Sequence, residues 1–137
     1  MTQSRQMAHE LDRVVRKIDA QMHKQLPQKD SRRIGPMGVL LLMQLETLQP
    51  CPIQALANLL GRDNSQLTRL IRDLEQKGVL ERKPHEKDKR VSLLQLTESG
   101  QEFLEDAKGT LTVIVDQVID PLTASERTTL LNILNKL

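Results

Sequence analysis

Between Asp63 and Gly78 the chain repeats its apolar residues at helical spacing and stops the pattern cleanly at both ends. This segment constrains the fold more than any other. Leu67, Leu70, Ile71 and Leu74 follow the i, i+3, i+4, i+7 rule that gathers side chains on one face of an α-helix. At about 100° per residue, Ser65, Arg69, Arg72 and Gln76 project to the opposite side, with Gln66 and Thr68 flanking them. Asp63 or Asn64 can cap the first turn, and Gln66 stands three residues beyond Asp63 as a capping-box partner. Gly78 ends the helix. Such a helix needs a core behind it and leaves an arginine-bearing stripe in front.

The flanking segments supply that core. Gly38 to Leu48 is apolar on nearly every side, which predicts a helix buried on most of its surface and ended by Pro50. Pro52 suits the first position of a short helix running to Leu60, which buries Ile53, Leu56, Ala57 and Leu60, with Gly61 as its left-handed cap. After Gly78, Val79–Pro84 and Val91–Leu96 read as two strands joined by a polar linker that holds Lys87-Asp88-Lys89-Arg90. Thr97 then caps a long helix whose stripe runs from Phe103 to Ile119, broken by Pro121. Thr123-Ala124-Ser125-Glu126 is a capping box that opens a last helix ending near Leu137. At the other end, residues 5–26 carry Met7, Leu11, Val14, Val15, Ile18, Met22 and Leu26 on one stripe, stopping near Pro27 before a polar linker over 27–36.

Two helices joined by a tight turn, then a charged hairpin, form the layout of a winged helix-turn-helix, in which the second helix can enter a major groove of duplex DNA. The expected fold class is therefore mostly α with a small β-wing. We read residues 1–137 as a single domain, with the winged lobe over about 37–100. The helices over 5–30 and 101–137 carry apolar stripes beyond what that lobe needs. A second copy of the chain is the economical way to cover them, so these regions are expected to be dimerisation helices.

Charge follows the same division. Net charge is only +2, but residues 62–92 hold nine Lys and Arg against six Asp and Glu, whereas the remainder holds eleven against twelve. The positive excess sits where the motif sits, as a phosphate-binding face requires. Phe103 is the sole aromatic residue, which argues against single-strand binding by base stacking. One cysteine excludes an internal disulfide framework, and no apolar run approaches membrane-spanning length. Residues 1–26 are amphipathic and not signal-like, and a cytoplasmic location is expected.

The segments Ser65-Gln66-Leu67-Thr68-Arg69-Leu70-Ile71, Leu74-Glu75-Gln76-Lys77-Gly78-Val79-Leu80-Glu81-Arg82 and Asp88-Lys89-Arg90 through Leu94-Gln95-Leu96-Thr97-Glu98-Ser99-Gly100 resemble the MarR (multiple antibiotic resistance regulator) family of winged-helix transcription factors. The resemblance implies a homodimeric repressor on a pseudo-palindromic operator, released when a small anionic or phenolic effector, a metal or an oxidant acts. By that likeness Gln66, Thr68, Arg69 and Arg72 face bases or phosphates; Ser65 on the same outward face, and Lys87 and Lys89 in the polar linker, join them as candidate DNA contacts, the lysines on phosphates. The resemblance also makes Arg90 the wing-tip arginine of the minor groove and gives Asp88 the task of bracing the wing. Lys89 departs from the arginine frequent there, which weakens wing contacts without changing their kind.

Cys51, between Pro50 and Pro52, admits two readings. At a helix N-terminus the dipole favours a thiolate and a redox switch, whereas a lone buried cysteine is an inert apolar residue. His9 and His23 are fourteen residues apart, about 21 Å along a helix, so they cannot share a metal within one chain. No Gly-rich phosphate loop, paired-cysteine motif or Ser-His-Asp set appears, so neither enzymatic activity nor a cofactor or metal is expected. The rival classes are a redox regulator using Cys51, a winged-helix module that binds protein, and a small-molecule carrier. The protein-binding module would lack the outward basic stripe, and the carrier would need an aromatic-lined pocket.

Overall fold

The computed structural model describes residues 2–29 and 32–137, leaving aside the side chains of 27–29. In chain order the elements are α1 (Gln3–Lys29), α2 (Pro36–Leu48), α3 (Ile53–Leu60), α4 (Asn64–Gln76), β1 (Leu80–Pro84), β2 (Ser92–Leu96), α5 (Glu98–Val118) and α6 (Ala124–Leu134). The expected class holds, with helices around a two-stranded antiparallel sheet.

Helix α2 is the hub. Its apolar residues bury Leu41, Leu42 and Leu45 completely, and it packs on α1, α3, α5 and β2. Leu56 from α3, Ile71 and Leu74 from α4, Leu80 and Leu94 from the strands, and Leu104 and Ile114 from α5 complete the same core. Each buried leucine or isoleucine contributes about 1.5–3 kcal/mol relative to exposure.

Several boundaries differ from the sequence reading. Helix α1 does not stop at Pro27 but continues to Lys29. A proline so close to a helix end removes one N–H bond in the last turns, where few bonds remain to be lost. Met22 and Leu26, buried against the core, anchor the approach to it. Helix α2 starts at Pro36, two residues earlier than expected, because proline is pre-set for the first turn and Gly35 serves as the N-cap. Conversely, Pro52 is the extended N-cap of α3 and not its first residue. The middle of the expected linker, residues 30–31, lies outside the described residues.

The long stripes of α1, α5 and α6 divide unequally. Met22 and Leu26 are buried by the chain's own core, but Met7, Leu11 and Val15 remain 54%, 55% and 62% exposed. Helix α6 buries none of its residues, leaving Leu131, Ile133 and Leu134 exposed. Thr110, polar and absent from the expected stripe, is buried in α5, where its hydroxyl donates to the Asp106 carbonyl.

Two contacts fix the long helix α5 to the lobe. At its start, the Thr97 hydroxyl donates to the Gly78 carbonyl at 2.6 Å and accepts from the Gly100 N–H at 2.9 Å. A Cβ on Gly100 would lie 1.8 Å from the Val79 carbonyl oxygen, so only glycine permits this approach. Further along, Glu46 of α2 accepts from Lys108 and, at 2.5 Å, from Gln101, both on α5. The Lys108 bond and then the Gln101 bond hold the Glu46 carboxyl below the usual glutamate pKa.

Gly100→Ala is expected to destabilise the chain by about 2–3 kcal/mol through forced backbone displacement. Gly109→Ala, with nothing within 4 Å of the added carbon, should stabilise it by about 0.5–1 kcal/mol, since alanine is the better helix former. Urea denaturation of the two variants checks both. A depressed folded-state pKa at Glu46 means a stabilising contribution present at neutral pH and lost as pH falls below the ordinary glutamate value of about 4.3. Glu46→Gln should therefore be less stable than the parent at pH 7, with the difference shrinking on acidification, as thermal melts across that range would register.

Candidate nucleic-acid interface

The turn between α3 and α4 is built by Gly61, at φ 63°, and by Asp63, whose carboxylate caps α4. Asp63 Oδ1 accepts from the Ser65 hydroxyl at 2.7 Å and from the Gln66 N–H at 2.9 Å, and these bonds hold its pKa below the usual aspartate range. Of the two expected candidates, Asp63 is the cap. Gln66 makes no return bond to Asp63 among the described residues, and its side chain is exposed. Asn64 instead donates to Gln54 at 3.1 Å, tying the first turn of α4 to α3.

Helix α4 presents the face that its periodicity predicts. Leu67, Ile71 and Leu74 are buried and Leu70 half-buried, whereas Ser65, Gln66, Arg69, Arg72 and Gln76 are exposed. Thr68 differs from the other expected contact residues. It is half-buried, and its hydroxyl donates to the Asn64 carbonyl at 2.6 Å.

The ion pairs give this face its sign. Asp73 is paired with Lys77 at 2.9 Å, and Glu75 with Arg82 at 3.2 Å. Both acids of α4 are thus engaged by cations from its C-terminal end and from β1. Arg69 and Arg72 have no ion pair or side-chain hydrogen bond among the described residues. The outward stripe therefore carries positive charge that these acids do not neutralise, the electrostatics a polyanion requires.

The wing follows directly. Strands β1 and β2 pair in register from Leu80 opposite Leu96 to Pro84 opposite Ser92. Cys51 adds a one-residue third strand, its carbonyl accepting from the Leu94 N–H at 2.7 Å. Gln49 extends this mooring through its side-chain oxygen, which accepts from the Leu96 N–H at 2.8 Å. The hairpin root is thereby held to the α2–α3 connection.

At the tip, Asp88 Oδ1 accepts from the Arg90 N–H at 3.1 Å and from Arg90 Nε at 3.2 Å. Arg90 keeps the Asp88 carboxyl below its usual range. The Arg90 side chain is nonetheless 91% exposed, and Lys87 and Lys89 are exposed beside it. Sequence reasoning sees His85 only as one of three dispersed histidines and gives it no part in the turn, yet its Nδ1 accepts from the N–H groups of Lys87 and Asp88, both at 3.1 Å. The available signal is an acceptor side chain two residues before a turn, the position that Asp or Asn takes in an Asx-turn. Gln49 and Arg82 are missed as well, and neither has a local signature.

Cys51 stands just before the N-cap of α3 but is buried, and burial pushes its thiol pKa up. At this position desolvation works against the thiolate that a helix dipole would favour.

Comparison with known proteins agrees with this arrangement. The MarR family profile matches residues 38–92, from α2 to the start of β2. The HTH-type transcriptional regulator BilQ of Clostridium symbiosum is 34% identical over 87 residues, 64% of this chain and 60% of that protein. The transcriptional repressor MprA of Escherichia coli K12 is 29% identical over 123 residues, 85% of this chain and 70% of its own length. The chain spans about three fifths of the length of the curated relatives it matches first. A crystal structure of a cysteine-to-serine mutant of MarR from E. coli, complexed with operator DNA, superposes with a TM-score of 0.78 at 27% identity, covering 95% of this chain and 91% of that one. In sequence across the lobe and in fold across nearly its whole length, this chain is similar to MarR-family proteins.

Proposed function

We propose that the chain is a transcription regulator that binds duplex DNA as a homodimer, with α4 in the major groove and the wing in the adjacent minor groove. The observation that carries this reading is the outward stripe of α4. Its two arginines have no ion pair among the described residues, while both acids of the helix are engaged elsewhere. Gln66 and Arg69, early on α4, are suited to base edges. Ser65, Arg72, Lys87 and Lys89 suit phosphates. Thr68, its hydroxyl bonded within the helix, offers mainly its methyl group to a base. Arg90 reads groove width as well as charge, braced by Asp88. The DNA complex of the E. coli MarR mutant supports the choice of duplex DNA as partner.

The same reading assigns residues 37–100, roughly, to the DNA-binding lobe and the rest to association. Met7, Leu11 and Val15 of α1, with Leu131 and Leu134 of α6, offer the apolar surface that a second copy would cover. Repression of target genes, with release by a small anionic effector, completes the proposal; the name of MprA supports the repressor sense. Cys51 is assigned a structural role in the wing's third strand.

Arg69→Ala or Gln66→Ala should weaken operator binding by about 1–3 kcal/mol and random duplex far less, narrowing the specificity ratio. Lys87→Ala should weaken both DNAs alike and reduce the log–log salt slope by roughly 0.9. Affinity titrations on both duplexes across a salt series measure this. Equal proportional losses from Arg69→Ala on both DNAs would remove α4 as the reader.

Leu11→Glu combined with Leu131→Glu, two exposed positions, should leave the lobe folded and yield monomers by sedimentation with strongly reduced operator affinity. Variants that sediment as stable dimers would place the interface elsewhere.

A further inference from the structure

We infer that His85 is the positioning residue of the wing tip, acting as a neutral hydrogen-bond acceptor that orients Lys87, Lys89 and Arg90. The inference rests on the proposed DNA-binding reading for its use, though not for its structural content. Four bonds define the tip. His85 Nδ1 accepts from the Lys87 and Asp88 N–H groups, each at 3.1 Å. The Asp88 carbonyl then accepts from the Val91 N–H at 3.0 Å, and its carboxylate accepts from the Arg90 N–H at 3.1 Å. Asp88 is thus pinned from both sides, through its N–H by His85 and through its oxygens by Arg90 and Val91. Its contact with Arg90 is only as well placed as the imidazole that anchors it. The hairpin closes beneath, where the His85 N–H donates to the Val91 carbonyl at 3.0 Å.

An imidazole nitrogen that accepts two N–H groups must carry its lone pair, so the ring is neutral with its proton on Nε2. A protonated ring could donate there but not accept, and the Lys87 and Asp88 amides would lose their partner. The hollow that His85 lines is shared by the charged Lys83 of β1 and Glu86 and Lys87 of the tip and by the neutral Pro50, Leu93 and Gln95, and Asp88 interacts electrostatically with the ring. Asparagine at this position could accept the same two N–H groups through its side-chain oxygen, as in an Asx-turn, whereas alanine could not.

The test combines NMR of the free protein with DNA affinity of His85→Asn and His85→Ala. Ring ¹⁵N shifts at about pH 8 should show the Nε2–H form. The Lys87 and Asp88 amide resonances should carry the downfield shifts of hydrogen-bonded N–H groups, kept in H85N and lost in H85A. At neutral pH, H85A should lose about three- to tenfold in operator affinity, the scale of one or two lost hydrogen bonds, and H85N should restore it to within about twofold. A ring protonated on Nδ1, or Lys87 and Asp88 amides whose shifts are unchanged in H85A, would overturn the assignment whatever the DNA result. Equal losses from H85A and H85N would also overturn it, since the ring would then act by contact or charge. A wild-type protein with the expected ring state but no affinity for any duplex would support the anchor and sink the DNA-binding reading.

Discussion

The close approach of Gly100 to the Val79 carbonyl is the constraint on which the other parts depend. Helix α4 ends, the wing begins and returns, and α5 starts within the few residues that meet there. Thr97 bridges them, with its N–H donating to the Val79 carbonyl and its hydroxyl donating to the Gly78 carbonyl. A missing methyl group therefore sets the angle between the arginine-bearing helix, the hairpin and the long helix. No increase in core packing elsewhere could recover that angle, because it is fixed backbone to backbone.

The charge arrangement is layered on this frame by simple local pairing. Helix α4 contains as many acids as arginines, so its composition alone predicts no field. The acids lie where Lys77 and Arg82 can reach them, and the arginines stand clear of both pairs. The sign of the face is thus a property of placement and not of net charge. At exposed positions such pairs add little stability; their consequence is electrostatic and concerns what approaches.

Much of this architecture is legible in the sequence. The apolar period of α4, the turn at Gly61, the cap at Asp63, the glycine at 78 and the capping box at Thr123 are local signals, and local signals survive folding. The limits of α1 and α2 are harder to place, because a proline can stop one helix and start another. Either outcome depends on how many turns remain beyond the ring. The mooring of the wing by Cys51 and Gln49 is illegible for a different reason. It joins residues more than forty positions apart, and no spacing rule connects a one-residue bridge to its strand. His85 lies between these cases, visible as a turn acceptor only once histidine is considered for a task more often given to aspartate or asparagine.

The uneven burial along α1 has a consequence for how the chain behaves when diluted. Residues 18–26 are held by the chain's own core, but the portion up to Val15 is exposed along its apolar stripe. A helical segment of that length is marginal in water without tertiary contacts. Its persistence then depends on whatever covers Met7, Leu11 and Val15; under the proposed self-association, helix content at this end would become a function of protein concentration. One continuous rod would behave as two thermodynamic segments, one ordered by folding and the other by association.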